Sequence, residues 1–96
     1  LAVGFKKPHL PFVALSKYWN LYKRDDFKVA PFQQKTTNPV EPAYHNSSEL
    51  RTYGGIPNFD SYSPNPQKHL PVGKQKELIH SYYACTSYID AQIGRL

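Results

Sequence analysis

The sequence predicts an α/β segment contributing one buried strand, a short helix, a long irregular loop and a C-terminal amphipathic helix. Three observations carry that reading. Leu1–Phe5 is a mainly apolar run ended by Lys6-Lys7-Pro8, a pattern that suits a strand buried on both faces. From Lys74 onward proline is absent, and Leu78, Tyr82, Cys85, Ile89, Ile93 and Leu96 recur at steps of four, three, four, four and three, the period of a helix with an apolar stripe. Between the two, Pro31, Pro39, Pro42, Pro57, Pro64 and Pro66 interrupt every candidate element from Phe27 to His69.

After the strand, Pro8-His9-Leu10-Pro11-Phe12 carries two prolines that fix φ and remove backbone donors, so it reads as a stiff loop. Ser16 is placed to cap a short helix running to about Lys23, with Leu15, Trp19 and Tyr22 near one face; Asp25-Asp26 ends it. Phe27-Lys28-Val29 reads as a brief strand, Tyr53-Gly54-Gly55 as a turn and Ser61–Pro66 as open loop. An irregular stretch of this length is uncommon in a compact domain unless it is functional or packed on something larger. The C-terminal helix needs a sheet to bury its stripe, and these residues offer one convincing strand. The expectation is that most of the core lies outside them, and that other polypeptide or self-association covers Leu78, Tyr82, Cys85, Ile89 and Ile93.

Composition narrows the function classes. At 96 residues there is room for one small domain at most, since single cores take about 100 to 150 residues. A mean hydropathy of −0.63 and the lack of a run of about 20 apolar residues exclude a helical membrane span. Twelve Lys+Arg against seven Asp+Glu leave a net charge of +5, yet the cations are dispersed and interrupted by acids, and no nucleic-acid motif accompanies them. No nucleic acid and no membrane are therefore expected as partners. Cys85, the single cysteine, rules out an internal disulfide framework and any multi-cysteine zinc site. Its place in the apolar stripe suits a packing role. His45, His69 and His80 lack partners at metal-ligand spacing, so no metal site is expected from this chain alone. Asn46-Ser47-Ser48 matches the N-glycosylation sequon.

The residue best placed for chemistry is His9. It follows the apolar strand, and ligands of open α/β sheets gather beyond the carboxyl ends of strands. Flanking Pro8 and Pro11 hold the imidazole at little entropic cost, while Lys6 and Lys7 make the spot attractive to an oxyanion. The plainer alternative is an exposed loop histidine beside two solvated lysines.

Three stretches in order carry a family resemblance: Leu1–Phe12 with its Lys7-Pro8-His9-Leu10-Pro11-Phe12 core, Ala43-Tyr44 followed by Glu49-Leu50-Arg51, and Ser81–Leu96. Together they resemble type I sulfatases of the alkaline-phosphatase-like superfamily, and among them the iduronate-2-sulfatase branch. Agreement is poor between Gly55 and Leu70, where this chain looks longer. The resemblance implies that residues 1–96 are an internal segment of a sulfatase catalytic domain. The parent would hydrolyse sulfate esters of a small molecule or glycan in a periplasmic, secreted or lysosomal setting.

It further implies a formylglycine nucleophile made in a Cys/Ser-x-Pro-x-Arg motif, which this chain does not hold because Cys85 is followed by Thr86-Ser87-Tyr88. A calcium ion would be bound by residues outside this chain. By the same resemblance His9 corresponds to the family histidine that hydrogen-bonds the sulfate and assists at the bridging oxygen, and Lys7 adds positive potential as a substrate-binding residue. The 96-residue chain alone is accordingly expected to be inactive. Two alternatives stay open at this point: a noncatalytic basic polyanion-binding module, and a phosphatase or phosphodiesterase relative of the same superfamily.

Overall fold

The computed structural model describes residues 2–96; Leu1, the first residue of the expected strand, lies outside them. The chain divides into two units, one built from the residues up to Lys28 together with Lys76–Leu96, the other from Val29–Gln75. Three α-helices occur among the described residues: α1 (Ser16–Trp19), α2 (Ser48–Arg51) and α3 (Val72–Ile93). Short 3₁₀ turns occupy Arg24–Asp26, Glu41–Ala43 and Pro66–Lys68.

The order of elements follows the predicted one, with differences that have local causes. Residues 2–6 pair with no strand among the described residues, and Val3 and Phe5 are 51% and 41% exposed. An extended run needs a neighbour to form a ladder, and none of the described residues supplies one. Phe27-Lys28-Val29 likewise forms no ladder. The turn at Tyr53-Gly54-Gly55 is present, with Gly55 at φ +80°, a conformation that disfavours any side chain.

The short helix stops at Trp19, not at Lys23. Continuing it would require the Trp19 carbonyl to accept from the Lys23 N–H. That carbonyl instead accepts from His80 Nε2 at 2.9 Å and from the Tyr22 N–H at 3.3 Å, so the chain leaves through tighter turns. Ser16 is the first helical residue; Leu15 takes the cap position and no side chain bonds the helix start.

Helix α3 begins at Val72, where the Pro71 carbonyl receives the N–H groups of Lys74 at 2.8 Å and Gln75 at 2.9 Å. Its buried face differs from the stripe read in the sequence. His80, Ser81, Ala84 and Cys85 are buried, whereas Tyr82 is 48%, Ile93 55% and Leu96 78% exposed. The reason is steric: Ser81, Ala84 and Cys85 are small, and spacings of three and four set them together with His80 on one side, where other chain segments approach closely. Against this side lie the segments from Phe12 to Phe27. Phe12 meets Tyr82 edge to face at 5.9 Å, Tyr18 packs on Tyr88 at 5.4 Å, and Trp19 meets His80 at 5.0 Å. Tyr22 and Phe27 both pack on Tyr83, at 5.4 and 5.0 Å. Aromatic pairs of this kind add about 0.5–1.5 kcal/mol beyond the area they bury.

Polar contacts fix the register of the same packing. Tyr22 Oη lies 2.6 Å from Ser87 Oγ, Lys76 Nζ donates to the Asp25 carbonyl at 3.0 Å, and Arg24 stands 3.9 Å from Glu77. The last pair is exposed and contributes little. One group is left over: His80 Nδ1 is buried with no hydrogen-bond partner among the described residues, a cost that the aromatic packing around the ring offsets.

Two expectations follow. Tyr22→Phe keeps the ring contacts and removes the hydroxyl pair with Ser87, so unfolding in denaturant should show a loss of about 1 kcal/mol with an unchanged slope. Burial pushes the Cys85 thiol above its ordinary 9.0, with the Lys7 charge and the Val13 backbone N–H pulling the other way. A raised value favours the protonated fold, so this contribution is present below pH 9.0 and is lost as pH climbs through the raised value. Iodoacetamide should alkylate Cys85 at least about tenfold more slowly in the native protein than in denaturant.

Candidate functional site

The site is built from residues 6–13, a loop that the two prolines keep out of regular structure; the Lys7-Pro8 and Leu10-Pro11 bonds are both cis. The His9 N–H donates to the Lys6 carbonyl at 3.1 Å, and the Lys7 ammonium donates to the Pro11 carbonyl, so the loop is bridged across its neck. His9 is exposed at its tip. Its Nδ1 lies 2.8 Å from the Leu10 carbonyl. A carbonyl can only accept, which puts a proton on Nδ1 and makes Nε2 the nitrogen that takes or gives a proton in acid-base chemistry.

The loop is anchored to α3 on its C-terminal side. The Val13 N–H approaches the Cys85 sulfur, Phe12 packs on Tyr82, and the Lys7 charge lies close enough to Cys85 to be felt by its thiol. Cys85 is fully buried and its thiol is held protonated, as befits a packing residue. Lys7 and His9, the two residues singled out for substrate, thus share one short bridged loop; Lys7 has its ammonium on a backbone carbonyl and is half-buried.

The other histidines have contacts of their own. His80 is enclosed by Trp19, Tyr22 and Phe27, and in the Val29–Gln75 unit His69 Nε2 binds the Ser63 carbonyl at 2.7 Å while His45 Nδ1 accepts from the Ser47 N–H at 2.8 Å. No three His, Cys, Asp or Glu side chains come together to hold a metal ion among the described residues. No helix there is long and apolar enough to cross a membrane.

Sequence reasoning missed a second polar constellation. In the Val29–Gln75 unit an open cavity of about 380 Å3 is lined by Lys35, Tyr44, Arg51, Asp60 and Tyr62 among others. These residues lie up to 27 positions apart in a stretch without periodicity, so no spacing rule brings them together. The one available signal was the alternation of Tyr with Lys, Arg and Asp over that stretch.

The bridging role of Lys7 is open to measurement. Lys7→Ala removes one charged hydrogen bond to the Pro11 carbonyl, worth about 1 kcal/mol. Hydrogen exchange at the His9 amide should accelerate roughly fivefold, with the amides of Ala84 and Cys85 unchanged.

Comparison with known proteins finds sulfatases. No family model matches the chain. A protein named Sulfatase from Formosa agariphila is 27% identical over 96 residues, a match covering 100% of this chain and 17% of the relative. Human iduronate 2-sulfatase is 31% identical over the same 100% of this chain and 17% of its own length. The choline-sulfatase of Rhizobium meliloti is 28% identical, again over 100% of this chain and over 16% of the relative. Sulfatases, iduronate 2-sulfatase among them, thus match the chain from end to end, and the chain spans about 17% of the length of those relatives.

Proposed function

We infer that this chain serves a sulfatase that hydrolyses sulfate esters, of sulfated sugars among other substrates, and that its part is to carry the histidine acting at the ester oxygen. The observation that supports this most is the His9 loop: an exposed imidazole whose Nδ1 is engaged by a backbone carbonyl, on a loop bridged by a lysine and anchored to the buried face of α3. Cleavage of the S–O bond leaves negative charge on the departing oxygen. An imidazolium with Nδ1 held by Leu10 presents Nε2–H to that oxygen and can give up its proton as the bond breaks. Lys7, beside it in the loop, adds positive potential that favours the sulfate group.

The nucleophile of this reading is a formylglycine supplied from outside these residues. Cys85 is no candidate for it, being fully buried in the middle of α3 and followed by Thr86-Ser87-Tyr88. The calcium ion of such an enzyme does not fit the residues present either: among those described, no three acidic, histidine or cysteine side chains converge. In the same reading Val3 and Phe5, both exposed, enter an α/β sheet completed by other polypeptide. That polypeptide or a second copy of this chain also covers the exposed Tyr82 and Ile93 of α3.

The test is His9→Ala in the whole enzyme. With a sugar sulfate, kcat should fall at least about 100-fold, the low end for losing a positioned acid-base group. With an activated aryl sulfate, whose phenolate leaves without help, the loss should be smaller. Equal losses on the two substrates would make His9 a sulfate-binding group and not an acid; no loss on either would leave it an ordinary loop histidine and overturn the site.

A further inference from the structure

The Asn46-Ser47-Ser48 triplet plays no part in the chemistry assigned to His9, yet its residue types and its geometry both have the form of an attachment site. Of the five asparagines, Asn46 alone has a Ser or Thr two positions on, as the acceptor sequence for N-linked glycans requires; Asn20, Asn38, Asn58 and Asn65 do not. The middle residue is Ser47, not the proline that blocks transfer. Asn46 is exposed, as are His45, Ser48 and Glu49 around it. A bulky, hydrated group attached at this point therefore meets solvent instead of packed chain.

Local hydrogen bonds set the side chain. Asn46 Oδ1 accepts from the Ser48 N–H at 3.0 Å, which closes an Asx-turn across the triplet. The amide oxygen is thereby occupied, while Nδ2, the atom that would carry a sugar, has no hydrogen-bond partner among the described residues, and neither has the Ser48 hydroxyl. The backbone is pinned on both sides of the turn: the Asn46 carbonyl accepts from Arg51 Nε at 2.8 Å, and the Ser47 N–H donates to His45 Nδ1 at 2.8 Å. Ser47 is the one non-glycine residue with positive φ among the described residues, at 56°. Side chains with a Cβ rarely take that conformation, and it persists where neighbouring contacts hold it in place.

We propose that Asn46 is an N-glycosylation site, the acceptor of an oligosaccharide delivered as its polyprenyl diphosphate. In the transfer Nδ2 attacks C1 of the first sugar. The Nδ2–C1 bond forms as the bond from C1 to the diphosphate oxygen breaks, the lipid diphosphate leaves with the electron pair, and the Nδ2 proton passes to a base of the transferase. An amide nitrogen is a poor nucleophile because its lone pair is delocalised into the carbonyl. Loss of the Nδ2 proton places negative charge on Oδ1, and the Ser48 N–H is aimed at that oxygen to stabilise it. The turn needs nothing beyond the triplet, so the same arrangement is open to the chain before the rest of it folds. No residue of the His9 loop takes part, and the proposal does not rest on the sulfatase reading above.

The test is the mass of the peptide containing Asn46, taken from the whole enzyme secreted by a eukaryotic host, before and after treatment with an N-glycan amidase. The untreated peptide should be heavier than its sequence by a glycan, and the amidase should remove that mass and leave an aspartate in place of Asn46. Asn46→Gln and Ser48→Ala should each abolish the added mass, whereas Ser48→Thr should retain it. Ser48→Ala keeps the main-chain N–H that closes the turn and removes only the hydroxyl, which makes it decisive if Asn46→Gln disturbs the fold. An unmodified peptide from the secreted wild-type enzyme, or added mass that survives Ser48→Ala, would overturn the proposal. Sulfate-ester turnover is read separately. An enzyme that cleaves but carries no glycan at Asn46 refutes only this proposal, and one that carries the glycan but cleaves no sulfate ester refutes only the sulfatase reading.

Discussion

The packing of residues 12–27 onto one face of α3 is the constraint from which the candidate site follows. That face is made of Ser81, Ala84 and Cys85, side chains small enough for neighbouring chain to come close, with His80 beside them. His80 donates to the Trp19 carbonyl at the end of the four-residue α1, which ties that end to the helix where the chain turns. Tyr22 and Phe27 then close over Tyr83, and the Tyr22–Ser87 hydroxyl pair fixes where along the helix they sit. A buried imidazole with one nitrogen unpartnered is an expensive way to hold a turn; here its cost is balanced by the aromatic rings packed around it.

From that anchored segment the His9 loop gains its position. Val13 and Phe12 tie the end of the loop to Cys85 and Tyr82, and Lys7 closes its neck on the Pro11 carbonyl. What reaches the surface is an imidazole with its Nδ1 already spoken for by Leu10. Pre-orientation of this kind matters for an acid working at a leaving oxygen, since a proton donor contributes only when its N–H is aimed as charge develops. Rigid loop, oriented ring and buried thiol are thus consequences of one helix face.

Much of this was legible in the sequence, and the parts that were not share a physical reason. The proline-free stretch from Lys74 announced the start of α3 to within two residues, although the helix ends at Ile93 and not at Leu96, and Pro8 and Pro11 announced the stiff loop around His9. Of the apolar stripe, Cys85 is buried while Tyr82 and Ile93 are exposed, and the rest of the buried face is made of small residues and a histidine, which no hydrophobicity count selects. Helix α1 was read as too long because nothing local reveals that a residue 61 positions away takes the Trp19 carbonyl. The run at Val3–Phe5 has strand composition, yet strand formation depends on a pairing partner that the described residues do not include. The Arg51–Asp60 cavity was invisible for a similar reason, being assembled from loops whose course is set by turns and prolines instead of a period.

The central claim is that this segment delivers the His9 imidazole to the sulfate ester, Nδ1 on Leu10 and Nε2 on the substrate. A crystal structure of the whole enzyme with an inert sulfate ester bound tests it most directly. The account predicts Nε2 within hydrogen-bond distance, about 2.7–3.2 Å, of the bridging oxygen, with the Leu10 contact retained. A sulfate ester bound with His9 turned away from it, or with Nδ1 facing the substrate, would contradict the account.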